Sequence, residues 1–125
     1  VGKIYETKEL SFTTLEFHEN YVVSELKENE VLEQKQLNRL VKTCTNFFKG
    51  KKFIYISRRI NNYNVNPVVY FNLKEVKSLA GIAIVCSDKN CFSTASFEKK
   101  FSKTSFEVFL EFEDAIKWAE ELLKK

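Results

Sequence analysis

Methionine is missing from this 125-residue sequence, proline occurs once and glycine three times. So few turn-formers exclude collagen-like, mucin-like and low-complexity chains. No stretch approaches the roughly 20 apolar residues that cross a bilayer. The opening Val1-Gly2-Lys3-Ile4 has no apolar secretory core, so neither a targeting nor a spanning segment is expected. The missing initiator sets the further expectation of a trimmed start. Gly2, Gly50 and Gly81 are scattered, which leaves no glycine-rich phosphate loop. His18 is the lone histidine, which argues against an imidazole metal site, and the sequence sets no nucleophile or orienting carboxylate with it for acid–base work. No pair of carboxylates is spaced for hydrolysis, and the expectation is a chain with no catalytic residues, no metal and no cofactor.

What is present is a globular composition. Hydrophobic residues make up 44% and charged residues 30%, with 12 phenylalanines to fill a core. A chain this long buries roughly two thirds of its unfolded surface, which suits a single domain over 1–125. Cys44, Cys86 and Cys91 are odd in number and lack zinc-site spacing, so three reduced core thiols and a cytoplasmic setting are expected. Charge is uneven: residues 1–33 hold three Lys against eight Glu, residues 34–104 hold eleven Lys and three Arg against three acids, and the remainder is acidic again. A basic middle suits an anionic partner or, more simply, solvated helix faces.

Residues 1–11 read as an edge strand or lead-in. Leu15 and Phe17 alternate, Glu19-Asn20 makes a turn, and Tyr21 to Leu26 carries β-branched and aromatic residues, which together predict a hairpin. Leu37, Leu40, Val41, Cys44, Phe47 and Phe48 form one stripe and predict a helix over about 32–48, opening near Asn29 or Glu30 and closed by Gly50. Phe53 to Ser57 is a short apolar run of the buried-strand type. Asn61 to Asn66, with four asparagines, reads as a loop, and Asn66-Pro67 as the cap of a second helix over about 67–79. Ile82 to Cys86 predicts another buried strand, Cys91 to Phe101 a weak helix, Phe106 to Leu110 the last strand, and 112–124 a terminal helix with Trp118 against the sheet.

The order predicts an α/β fold, an N-terminal antiparallel hairpin followed by parallel strands in a mixed sheet with about four helices. Helices on both faces, or on one face and an edge, satisfy the pattern equally. Three segments carry a resemblance: Leu32-Glu33 opening the long amphipathic helix, Phe53-Ile54-Tyr55-Ile56-Ser57 as central strand, and Phe106 to Leu110 leading into Glu111 to Trp118 with its Ala115-x-x-Trp118. Over about 12–123 the chain resembles a STAS domain, the fold of sulfate-transporter cytoplasmic domains and anti-sigma-factor antagonists, in the bacterial SpoIIAA-like branch often grouped with lipid-exchange CRAL-TRIO domains. The resemblance implies a SpoIIAA-like sheet and a regulatory, protein-binding role. In the antagonists, the loop after the central strand carries an acidic residue, and a phosphorylated serine opens the next helix. Here that loop, Ser57 to Pro67, has no acid, and the helix opens at Asn66-Pro67 without a hydroxyl. A phosphoswitch is therefore not expected, Ser57 being the nearest candidate.

Ligands of α/β sheets bind beyond the carboxyl ends of parallel strands. Arg58, Arg59 and Asn66 fall there and form a candidate anion or ligand site, although one of two adjacent arginines at a strand end commonly turns inward or meets an acid. Asn62, Tyr63, Asn64, Tyr70 and Phe71 form a candidate partner-docking surface, with Tyr70 expected to face solvent. Lys89, Lys99, Lys100 and Lys103 near Phe97 and Phe101 read mainly as a wet helix face, which argues against nucleic acid and allows at most peripheral membrane attraction. His18, on a hairpin, is expected at the surface. The reading is a non-enzymatic interaction or regulatory module that binds another protein or a second copy of itself. The alternative is a small-molecule or lipid binder of the same fold, which requires an apolar pocket of about 300 Å³ or more, lined by phenylalanines and opening near Arg58 or Arg59.

Overall fold

The computed structural model describes residues 3–61 and 63–125. Strands β1 (Glu6–Glu9), β2 (Thr13–Phe17) and β3 (Tyr21–Leu26) form an antiparallel meander. A two-residue strand β4 (Val31–Leu32) leads into helix α1 (Gln34–Phe48). Next come β5 (Phe53–Arg59), a short β6 (Asn64–Val65), helix α2 (Val68–Asn72) and a 3-10 turn, Leu73–Glu75. Strand β7 (Leu79–Cys86), helix α3 (Lys89–Glu98), strand β8 (Ser105–Phe109) and helix α4 (Phe112–Leu123) complete the described chain. The main sheet has six strands in the order β1-β2-β3-β5-β7-β8, parallel from β3 onward. The fold is α/β with a mixed sheet, an antiparallel start, parallel later strands and four α-helices.

Period-two alternation divides the sheet between two layers. Leu37, Leu40, Cys44 and Phe48 of α1 pack on one face with Val69 and Tyr70 of α2 and Ala95 of α3. Ala115 and Ala119 of α4 cover Ile54, Ile56, Ala83 and Val85 on the other. Helices therefore lie on both faces. Gly81 is what lets α4 approach, since a Cβ there would stand 2.6 Å from Leu122, 3.0 Å from Trp118 and 3.1 Å from Ile54. Trp118 packs on this side beside Phe109 with ring centroids 5.8 Å apart.

Helix α1 begins later than its stripe suggests. Glu33 is its N-cap, with the Gln36 side chain accepting the Glu33 N–H at 3.2 Å, and Lys49 ends it in the left-handed conformation ahead of Gly50. Asn29, also left-handed at φ 64°, belongs to the preceding turn instead. The second helix is much shorter than its apolar spacing implies. It stops at Asn72, Val76 is extended, and Ala80 lies inside β7, which begins at Leu79, three residues ahead of Ile82. The asparagine-rich loop contains β6, which pairs with β4 in a parallel two-stranded ladder. His18 is buried, not exposed: its backbone N–H donates to the Tyr21 carbonyl at 2.8 Å and its ring meets that of Tyr21 with centroids 4.4 Å apart. The tight turn folds the imidazole inward.

The cysteines also depart from expectation. Cys86 and Cys91 are joined in a disulfide with Cα atoms 5.5 Å apart, and only Cys44 is a free thiol, on the buried face of α1. Strand β7 ends at Cys86 and α3 begins three residues later, so the chain doubles back within the reach of a disulfide. Among the described residues no helix is long and apolar enough to cross a membrane.

Candidate functional site

At the carboxyl ends of β5 and β7 lies a cleft of about 350 Å³. One wall comes from the segment after β5, through Ile60, Asn61, Tyr63 and Asn64, and the other from the turn and first helical residues after β7, through Ser87, Asp88, Asn90, Cys91 and Thr94. Asp88 caps α3 by accepting the Cys91 N–H at 2.8 Å.

Arg59 and Glu98 form the floor. Both are nearly sealed from solvent, at 8% and 3% exposure, and they meet in a two-pronged ion pair at 2.9 and 3.1 Å. Tyr70 donates its hydroxyl to the same carboxylate at 3.1 Å, and the Tyr63 ring covers the guanidinium at 4.7 Å. Burial alone would lower the pKa of Arg59, but the hydrogen bonds and charge of Glu98 outweigh it and hold the guanidinium above its ordinary value. Burial, reinforced by the Glu98 charge, pushes the Tyr70 phenol well up, and burial also raises Tyr63. The floor is thus a closed, charge-compensated network.

The three residues expected to gather an anion are not brought together. Arg58 faces the opposite side of the sheet, bonded to Glu25 at 3.0 Å and stacked over Phe112 at 4.2 Å. Arg59 is taken by Glu98. Asn66 donates to Glu33 at 2.9 Å and its Oδ1 accepts the Val68 N–H at 3.3 Å, holding the start of α2. An acid answers each of them. Of the expected docking residues, Asn62 lies outside the described residues, Asn64 and Phe71 are exposed, and Tyr63 is half-buried. Tyr70 is a correction: it is 4% exposed, because its hydroxyl turns inward to Glu98. Ser57 is buried and within 3.0 Å of the Tyr63 hydroxyl. Among the basic residues of α3 and its exit, Lys99 reaches Glu107 at 3.1 Å and Lys100 lies over Phe97 at 5.7 Å.

Glu98 is the functional-site residue that spacing alone could have found. Cys91, Ala95 and Glu98 share one helical face, so a carboxylate stands on the stripe that meets the sheet. The disulfide and the β4–β6 ladder left no comparable signal.

A second cavity lies between α1 and the sheet, walled by Leu37, Leu40, Cys44, Tyr55, Val65 and Leu73 among others. It leaves about 30 Å³ for the centre of a water-sized sphere, room for a water molecule and not for an acyl chain. Among its lining residues Phe53 is the only phenylalanine, and neither Arg58 nor Arg59 borders it. This cavity has neither the size, the phenylalanine lining nor the opening near Arg58 or Arg59 that a lipid-binding role requires. They also contain no group of three or more His, Cys, Asp or Glu arranged to hold a metal ion.

No known protein family's sequence profile matches the chain, and no curated protein matches it in sequence. Among solved structures, it resembles an uncharacterised protein of the DUF3478 family with a SpoIIAA-like fold from Shewanella loihica PV-4. The two share 12% identity at a TM-score of 0.56, over 91% of this chain and 90% of the other. At that identity the likeness concerns architecture, and the architecture of this chain is SpoIIAA-like.

Proposed function

We propose that the protein is a non-catalytic interaction module of STAS type, working in the cytosol and recognising a segment of a partner protein at the strand-end cleft. The observation that carries this reading is the division of labour there. The charged groups of the floor satisfy one another, whereas the rim offers exposed amides and a hydroxyl, Asn64, Asn90 and Thr94. Such a rim suits hydrogen bonding to a peptide backbone and has no activated nucleophile or poised acid–base pair. Ile60, 57% exposed, adds apolar contact area on the same rim.

The test is a comparative capture from the protein's own cells, with bound species identified by native mass spectrometry. Asn64→Arg and Thr94→Arg fill the cleft, and Lys117→Glu, on the exposed side of α4, serves as the remote control. A protein retained by wild type and by Lys117→Glu, and lost from both cleft variants, is the expected result. A partner held equally by all four, a small molecule in place of a protein, or a second copy of the chain as sole occupant would each overturn it.

A further inference from the structure

We infer that Cys86 and Cys91 form a reversible thiol–disulfide site in the cleft wall, with Cys91 as the sulfur that exchanges with an external thiol and Cys86 as the one that resolves it. The two half-cystines differ in access. Cys86, the last residue of β7, is 1% exposed and belongs to the core, whereas Cys91 is half-buried and lines the cleft. An incoming sulfur therefore reaches Cys91 first. Cys91 also stands in the first turn of α3, where the positive end of the helix dipole favours a thiolate.

The bond spans only five positions and encloses Ser87 to Asn90, all of them exposed. The turn has a second fastening, the 2.8 Å bond from the Cys91 N–H to Asp88, which does not depend on the sulfurs. Both cysteines thus stay within bonding reach once reduced, as reversible exchange requires. In a reducing compartment disulfides are mostly transient, catalytic or sensing, so the cytosolic setting proposed above fits an exchanging pair better than a permanent staple.

The chemistry balances with a glutathione-type disulfide as oxidant. The Cys91 thiolate attacks one sulfur of that disulfide, whose S–S bond breaks and releases one thiolate, which takes a proton from water. The Cys86 thiol then gives its proton to solvent and attacks Cys91 Sγ, closing the protein disulfide and expelling the second small thiol. Two electrons pass from the cysteine pair to the small disulfide. Reduction by two molecules of the small thiol runs the same steps backward.

The experiment incubates the folded protein in buffers of defined reduced-to-oxidised glutathione ratio, then alkylates free thiols and reads intact and peptide masses. Wild type should lose and regain the disulfide without denaturant, at a midpoint within the span of cytosolic glutathione poise. Cys86→Ala should accumulate a glutathione adduct at Cys91 at least about tenfold above that of Cys91→Ala at Cys86. Circular dichroism confirms that each variant is folded, and Cys44, on the buried face of α1 with its thiol pushed up to about 12 by burial, serves as the unreactive internal control. Equal adducts on the two variants, a disulfide reducible only after unfolding, or none formed in oxidising buffer would overturn the proposal. Its effect on binding rests on the docking reading, because Cys91 lines the same cleft. Repeating the capture in reductant separates the two ideas: exchange without capture defeats only the docking reading, and capture without exchange defeats only this one.

Discussion

Arg59 enters the interior with its charge because Glu98 meets it with both carboxylate oxygens. Desolvating two ions gains little net stability, but removing one partner strands the other. Glu98→Gln should therefore destabilise the fold by about 3 to 5 kcal/mol in urea denaturation, while the double replacement Arg59→Met/Glu98→Leu should recover much of that loss. A double change that costs the sum of the two single ones would show that the residues act separately. The pair was only half legible in the sequence. A strand-end arginine turning inward was foreseeable from alternation, and a carboxylate on the sheet-facing stripe of α3 was visible in the spacing. Their meeting was not, because 39 positions separate them and only the β5–β7 register brings their elements together. Tyr70 illustrates the same limit, since nothing local says that a helical tyrosine will seek a carboxylate two elements away.

Elements were legible in proportion to the density of their apolar pattern. Helix α1 has a core residue on nearly every turn of its stripe, and β5 is an unbroken apolar run, so each was recognisable alone. Helix α2 was overread because Leu73, Val76 and Ala80 happen to keep helical spacing across a chain that leaves the helix, turns and enters β7. The short β6 was hidden by asparagines with poor strand propensity, and it forms because β4 offers it a partner. Close packing between elements supplies a sharper test than their existence. Gly81→Ala should cost about 1 to 3 kcal/mol by thermal or urea unfolding, because Leu122, Trp118 and Ile54 already occupy the space its methyl needs. A neutral or stabilising result would mean that α4 rides loosely on the sheet. At the start of α3, Asp88→Ala should cost about 1 kcal/mol through loss of the cap on Cys91 N–H.

For the molecule as a whole, the alternating element order was enough to give the α/β class and parallel later strands, but not which faces the helices cover. That choice is made by side chains on both faces of β5 and β7, where apolar residues require cover on each side. Global stability should also carry a mark of the buried phenols and thiol. An unfolded tyrosine releases its proton near 10.0, whereas Tyr63 and Tyr70 in the folded chain hold theirs to higher pH. Cys44 behaves alike, from an ordinary 9.0 to about 12. The native state then binds more protons than the unfolded one, so this contribution is complete below pH 9 and is lost as pH rises through the folded values. The decline should reach at most about 1.4 kcal/mol per pH unit for each group. Urea midpoints measured from pH 8 to 11 should fall, less steeply in Cys44→Ala. A flat profile would show these groups titrating equally in both states.

The junction of β3 with β5 sets a timetable for the chain as it is made. Strands β2 and β3 need only a two-residue turn to pair, an event of microseconds, but the other edge of β3 takes its parallel partner from beyond the whole of α1. At ribosomal speeds of about 5–20 residues per second, the 26 residues in between take on the order of seconds to emerge. Through that interval the newborn meander presents an open strand edge and the apolar faces of Val22 and Val23, a binding target for chaperones that vanishes once β5 is docked.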